Sequence, residues 1–553
     1  MSEVWNHFKK NANNTTVVCN NCNKNYKWKC TSGTTTLTKH LLTHNITIDQ
    51  SLSKPAIDKK NTNITPEKIL LINQKYINFI IKNSQPFILS ENLYFIQFVK
   101  ELNQDYKLLN RKQVKSEIEK LYDVNNKMII NNFQNMDSKY SLSLDIWKSL
   151  KNDQYIGVNI HYIHNFILKK YTIGFEKIID QKADTIFNSL YNIINDFKLN
   201  PNNLLSFVSD NCSTMKAVCN MLYNKIGNKD CQLKFFGCFA HIINIIIKNG
   251  VLNSNVVNKA RKLATFIKSS PKTAQLLESI CLTDKTTYTT IKCDIETRWN
   301  STYLMINSMI HNKNNIKKVT ETNIFKDNEW EELNIIQSLL KPFYDLTNIV
   351  SVSKYPTIGI AYSVILNIQK YLNEFSNSTD VNIKEKSKIM EEKYNKYFDY
   401  INEEYFIGMV LDPRFKTQLL DKEQTTNIKS ILQTRLKEYA NNKGTNNKNL
   451  IEKVINNKIS IFPSEIINDE IGSYLSSPIV DPETNILDWW KNNQISFKSL
   501  SLMAMNYLSI PISSVSVEEL FSDAGEIITE HRNRLNPQII KKVICLQSWI
   551  EDK

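Results

Sequence analysis

Near residue 140 the hydrophobic period of this chain switches from helical to strand-like, and few folds accommodate the segments beyond that point. SLSLDIW (141–147), YIGVNIHYI (155–163) and ILKKYTIGFEKI (167–178) are rich in β-branched and aromatic residues with partial alternation. Three such runs in succession predict an antiparallel meander. A helix is predicted over 182–199, a short apolar strand LLSFVSD at 204–210, a helix over 211–226, a strand LKFFGCF at 233–239 and a helix over 240–252. This order, βββαβαβα, requires a mixed sheet flanked by helices.

That order is the one found in ribonuclease-H-like folds. Around it, residues 67–135 carry apolar positions at helical spacing. In EKILLINQKYINFIIK the stripe runs through Ile69, Leu70, Ile72, Tyr76, Ile77, Phe79 and Ile80. Residues 255–470 are mostly helical, with Asn-rich breaks such as NNKGTNNKNL (441–450). At the far end, PQIIKKVICLQSWI places Ile539, Ile540, Val543, Ile544, Leu546, Trp549 and Ile550 on one face. A face of that kind needs a partner surface, either another chain or the sheet of its own chain.

Composition narrows the class. Eleven glycines and thirteen prolines in 553 residues exclude collagen-like architectures, and 42% hydrophobic residues supply a sizeable core. No apolar run reaches the ~18–20 residues of a membrane span. The start MSEVWNHFKKNANN lacks the apolar stretch of a signal peptide. Ten cysteines are too few for a disulfide scaffold. The net charge of +14 favours polyanionic partners; alternatively it reflects a general lysine excess, since Asn, Lys and Ile are abundant throughout, as AT-rich codons would also produce.

Two groups of residues carry chemistry. Cys19 and Cys22 lie two apart, and His40 and His44 lie four apart in the helical string LTKHLLTH. Two cysteines on a tight turn facing two histidines on one helical face make a tetrahedral set suited to structural Zn²⁺. Cys30, inside the loop, is not needed. Trp5 and Phe8 precede this unit, and Lys24, Lys27, Lys29 and Lys39 make it basic, as duplex DNA requires of a partner. The second group is Asp145 in SLSLDIW and Asp210 at the end of LLSFVSD. A carboxylate in or just beyond an apolar strand is costly unless paired, hydrogen-bonded or metal-bound. Two on adjacent strands suit Mg²⁺; alternatively, Asp210 caps the next helix.

VWNHF followed by the Cys/His set and TTTLTKHLLTH resembles the BED zinc finger, a DNA-binding module of transposases and their derivatives. SLSLDIW, FVSDN, CFAHIINIIIKNG, TRWNSTYLMI, LDPRFK and IPISSVSVEELFSDAG with HRNRLNP occur in the order seen in hAT-superfamily transposases. The resemblance implies a multidomain α+β chain. It comprises a BED finger (1–50), a linker (51–66), a helical DNA-binding or dimerisation segment (67–137) and the first part of a ribonuclease-H-like core (138–254). An all-α insertion (255–487) and a C-terminal dimerisation region completing the core (488–553) come next. It implies Asp145, Asp210 and Glu518 as catalytic acids holding Mg²⁺ or Mn²⁺ for cleavage and joining of DNA. It also implies Cys238 and His241 beside the active site, with a packed cysteine and a helix-start histidine as the alternative. Arg298 and Trp299 would contact DNA, the indole stacking on a displaced base, unless Trp299 is a core residue. Self-association through the C-terminal region and a nuclear location are implied by the same resemblance.

The chain departs from the family around the third acid. Where the family reads Ser-Glu-Arg-x-Phe-Ser, this chain reads Val517-Glu518-Glu519-Leu520-Phe521-Ser522. An anion in place of a cation beside a phosphate site removes charge complementarity. The competing expectation is therefore a domesticated, catalytically inactive regulator that keeps the finger and the dimer surface.

Overall fold

The computed structural model describes residues 3–11, 15–28, 34–44, 46, 64–136, 138–226, 233–295, 299–319, 325–352, 355–398, 403–441, 463–528 and 535–550. In the N-terminal unit, Phe8–Lys10 (β1), Thr16–Cys19 (β2) and Asn25–Lys27 (β3) form an antiparallel sheet, followed by the helix Thr35–Leu42. Its core is Val4, Phe8, Val17, Cys19, Trp28, Leu37 and Leu41. At ~1.5–3 kcal/mol per buried large side chain, so small a set does not offset the backbone entropy of ~1–2 kcal/mol per ordered residue. A further cross-link is needed.

The large unit is built on a five-stranded sheet. Tyr140–Lys148 (β4), Gln154–His164 (β5) and Ile167–Ile178 (β6) form the antiparallel meander. Leu204–Ser209 (β7) and Lys234–Gly237 (β8) add in parallel, giving the order β6-β5-β4-β7-β8. The β5–β6 hairpin turns on two residues, Asn165 (φ 50°) and Phe166 (φ 59°), the left-handed pair that matches strand twist. Phenylalanine is an unusual occupant of that conformation; here its ring packs on the helical core. The helices Ala183–Asp196 and Ser213–Ile226 bury their apolar stripes in the same core as the sheet.

Side chains alternate between sheet faces, and directly paired residues share a face. Ser141, Ser143 and Asp145 on β4 therefore share one with Gly157, Asn159 and His161 on β5, and with Lys170 and Thr172 on β6. This face is unusually polar for the middle of a sheet. Ser143 and His161 satisfy each other, Oγ to Nε2 at 2.8 Å.

A second apolar core is purely helical over most of its extent, with Trp330, Leu340, Phe343, Ile365, Trp490 and Tyr507 among its buried members. The helices Ile486–Asn493 and Lys498–Tyr507 belong to this core. The C-terminal region read from sequence as starting at 488 therefore begins inside the helical packing. The chain returns to the sheet core with the helix Val515–Ile527.

The final helix, Pro537–Trp549, decides between the two surfaces expected for its apolar face. Ile539, Ile540, Val543, Ile544, Leu546 and Trp549 are all buried within the chain, in the core shared with β6 and the helix Arg111–Gln134. The apolar face thus closes the sheet of its own chain and is not free for a partner. In the helix Pro66–Lys82 the buried residues are Tyr76, Ile77, Ile80 and Ile81; Leu70 and Phe79 of the expected stripe are exposed. No helix among the described residues is long and apolar enough to cross a membrane.

Candidate active site and zinc centre

In the finger, β2 ends at Cys19, the turn after it carries Cys22, and the helix presents His40, with His44 just past its end. Their ligand atoms all lie within 4.8 Å of one another. Cys22 Sγ is 3.2 Å from His40 Nε2, and the two Nε2 atoms are 3.2 Å apart. Two thiols and two imidazoles at that spacing fit a tetrahedral Zn²⁺. Burial, with His44 and Lys24 adding repulsion, holds the His40 imidazole below its ordinary pKa and so in the neutral form a metal takes. Lys24, Lys27 and Lys39 are exposed; Lys29 and Cys30 lie outside the described residues. Lys10 stands 4.1 Å over Trp5, which meets Trp28 edge-on.

The acids come from three elements. The last paired residues of parallel strands β4 and β7 are Ser143 and Val208; Asp145 stands two residues beyond Ser143 within β4, and Asp210 stands two beyond Val208, just past the end of β7. Both acids are thus at the carboxyl end of adjacent parallel strands. Glu518 sits in the first turn of the helix Val515–Ile527. That helix lies over Gly157, the cross-strand partner of Asp145, so closely that a Cβ there would meet Val517 at 2.6 Å and Phe521 at 2.8 Å. Phe521 also stacks on Trp147, centroids 6.0 Å apart. Burial pushes the Asp145 carboxyl up to about 7, opposed by the Ile146 amide it accepts from, and the Glu518 and Asp210 carboxylates raise it further. Asp145 thus senses both other acids at one end of the sheet.

The sequence matches five family profiles in order. They are a BED zinc finger (residues 2–46), a ZBED1 RNase-like domain (143–235), a ZBED1 RNase-like helical domain (236–339), a hAT-like transposase RNase-H fold (359–445) and a hAT family C-terminal dimerisation region (470–550). The chain belongs to the hAT transposase superfamily. Among relatives, the putative AC transposase of Zea mays is 25% identical across 99% of this chain and 76% of its own length. The zinc finger BED domain-containing protein DAYSLEEPER of Arabidopsis thaliana is 22% identical across 99% and 87%. A putative transcriptional regulator, tpeD, of Talaromyces stipitatus is 22% identical across 85% and 61%. The RNase-H-fold match at 359–445 falls on helices, whereas the sheet lies at 140–237.

Both departures from the hAT pattern have structural explanations. Val517, where a serine is usual, is fully buried against Gly157. Glu519, where an arginine is usual, is exposed and pairs with Lys170 of β6 at 3.6 Å. It is held toward the β6 edge of the sheet, two strands away from β4 and Asp145.

The capping alternative for Asp210 is not what the helix start uses: the Met215 amide donates to the Cys212 sulfur, and the Cys212 thiol donates to Asp210 Oδ1 at 3.3 Å. Cys238 is buried at the start of the helix Phe239–Ile247, where its sulfur accepts from the Ser514 amide at 3.3 Å. Beside it, the Phe239 amide donates to Ile512. Cys238 therefore braces the segment leading into the Glu518 helix. His241 is partly exposed in the first turn of its own helix. Among the described residues the finger quartet is the group of three or more whose atoms close to within one ion's reach; Cys238 and His241 are in no such group, and neither are Asp145, Asp210 and Glu518 as a trio. Trp299 is only 4% exposed and belongs to the helical core. The core alternative therefore describes it, and its indole presents no open face for a base. Arg298 lies outside the described residues.

Sequence reasoning passed over Gly157, Asn159, Lys170 and Cys212. Gly157 carried a usable signal: a glycine inside a strand of a glycine-poor chain marks a close approach of another element.

Proposed function

We propose that this hAT transposase binds duplex DNA through its zinc finger and cuts and joins DNA at Asp145, Asp210 and Glu518. The observation that carries this reading is the seating of the Glu518 helix over Gly157, the residue paired with Asp145. Like charges brought together in this way are stabilised by a cation. Asp145, Asp210 and Glu518 would be the residues that hold Mg²⁺ or Mn²⁺. When bound, such ions supply a nucleophile and stabilise the phosphodiester oxygens during in-line displacement. The chain's own contribution is to hold the three carboxylates at one end of the sheet.

The exposed lysines of the finger supply phosphate contacts. Self-association involves the region matched at 470–550 through a surface other than the buried face of the last helix. A DNA partner places the protein in the nucleus.

The test is nicking of DNA carrying the element's own ends by purified protein in Mn²⁺. Asp145→Ala, Asp210→Ala and Glu518→Ala should each abolish nicking and leave DNA binding intact. A wild type that binds its cognate ends but never cuts them establishes the regulator reading instead.

A further inference from the structure

Glu518 reaches Asp145 only if the first turn of its helix is held at the right height and rotation over the sheet. Gly157 admits the helix sterically but does not stop it sliding. A directional contact lies one step along the same sheet face. Asn159 is 1% exposed on β5, and its Nδ2 donates to both the carbonyl oxygen and the hydroxyl of Ser516, at 3.0 and 3.2 Å. Its Oδ1 accepts from Thr172 Oγ1 at 2.9 Å, which fixes which way the amide points. Thr172 is itself held by the last helix: its amide donates to Ser548 Oγ at 2.7 Å, and its carbonyl accepts from Trp549 Nε1 at 2.8 Å.

We infer that Asn159 is a positioning residue for the third acid. Its carboxamide pins Ser516, two residues before Glu518, and so sets where the Glu518 carboxylate stands relative to Asp145. The inference rests on the metal-dependent reading of the three acids. A buried amide serving only stability had no need to bond the first turn of this particular helix, since Val517, Phe521 and Trp147 already supply apolar packing there. Hydrogen bonds of this kind lock a side-chain set into productive geometry.

The experiment uses the full-length, zinc-loaded protein and compares Asn159→Leu, Thr172→Val and Ser516→Ala with wild type, with Asp145→Ala as the baseline. The measurements are Mn²⁺ binding by electron paramagnetic resonance, the Mn²⁺ concentration for half-maximal nicking, duplex affinity and Tm. Asn159→Leu should raise the Mn²⁺ requirement about tenfold or more, the scale at which removing an outer support weakens a metal site, with duplex affinity unchanged. Thr172→Val, which frees the amide to rotate, should shift it in the same direction by less. Ser516→Ala should match wild type, because the carbonyl acceptor remains. If Asn159→Leu does not fold, Thr172→Val decides. A folded Asn159→Leu, or in its place Thr172→Val, with the wild-type Mn²⁺ response overturns the inference while the reading of the acids stands. A wild type that neither binds Mn²⁺ above the Asp145→Ala baseline nor nicks overturns the reading and the inference together.

Discussion

Gly157 and Val517 approach so closely that a Cβ on the glycine would lie 2.6 Å from Val517 Cγ1. The missing side chain on β5 is what lets the Glu518 helix lie against the strand pair that carries Asp145. Gly157→Ala should therefore destabilise the protein by about 1–3 kcal/mol, the usual cost of overpacking. It should also reduce nicking by lifting Glu518. Val517→Ala in the same chain should recover part of both losses. Urea denaturation of the single and double variants checks this; strictly additive effects would show that the two residues do not share the strain.

Glu519 should be dispensable. Its partner Lys170 is partly exposed, and such pairs contribute about 0–1 kcal/mol. Glu519→Ala should leave the Mn²⁺-dependent nicking rate near wild type, whereas Glu518→Ala abolishes it. The reverse pattern in a nicking assay would mean that the neighbouring residue is the third acid.

The finger should depend on its metal. Cys22→Ser and His44→Ala should each abolish bound zinc at that site and open residues 1–50 to protease, because the seven-residue core is too small to hold alone. The ribonuclease-H-like core should be unaffected. Zinc content and limited proteolysis give the answer, and a finger equally resistant without zinc would contradict it.

Duplex affinity should fall steeply as salt rises. Each finger lysine that contacts a phosphate adds about 0.9 to the slope of log affinity against log salt. Replacing Lys24, Lys27 or Lys39 by alanine should lower that slope by about one where the contact exists. A wild type with a flat salt dependence would rule out phosphate-driven binding.

Stability should respond to His161. Burial, with Lys170 adding repulsion, depresses its imidazole to about 3. The unfolded chain therefore binds a proton near pH 6.5 that the folded chain refuses. Stability contributed at neutral pH should be lost progressively as pH falls from about 6.5 toward 3. His161→Gln should flatten that part of a Tm-against-pH curve. An unchanged slope would place the acid sensitivity elsewhere.

The elements and ligand set of this protein were legible in its amino-acid string because both are local. The period-two runs at 141–178 became β4, β5 and β6, and the Cys-x2-Cys and His-x3-His spacings became one cluster, because turn and helix geometry bring such neighbours together without help from distant residues. What only the tertiary structure decided was which surfaces meet across long separations. Trp299 could equally have been an exposed stacking platform, and the last helix could have faced a second chain. Both were settled by burial against residues far away in sequence. Val517 and Glu519 looked like damage to the active site while the helix was viewed alone. Packed over Gly157 and paired with Lys170, they become a contact surface and an edge ion pair. A linear pattern records which side chains are apolar or charged; which of them share a face of the sheet is fixed by strand register and helix docking, energies summed over contacts between parts of the chain hundreds of residues apart.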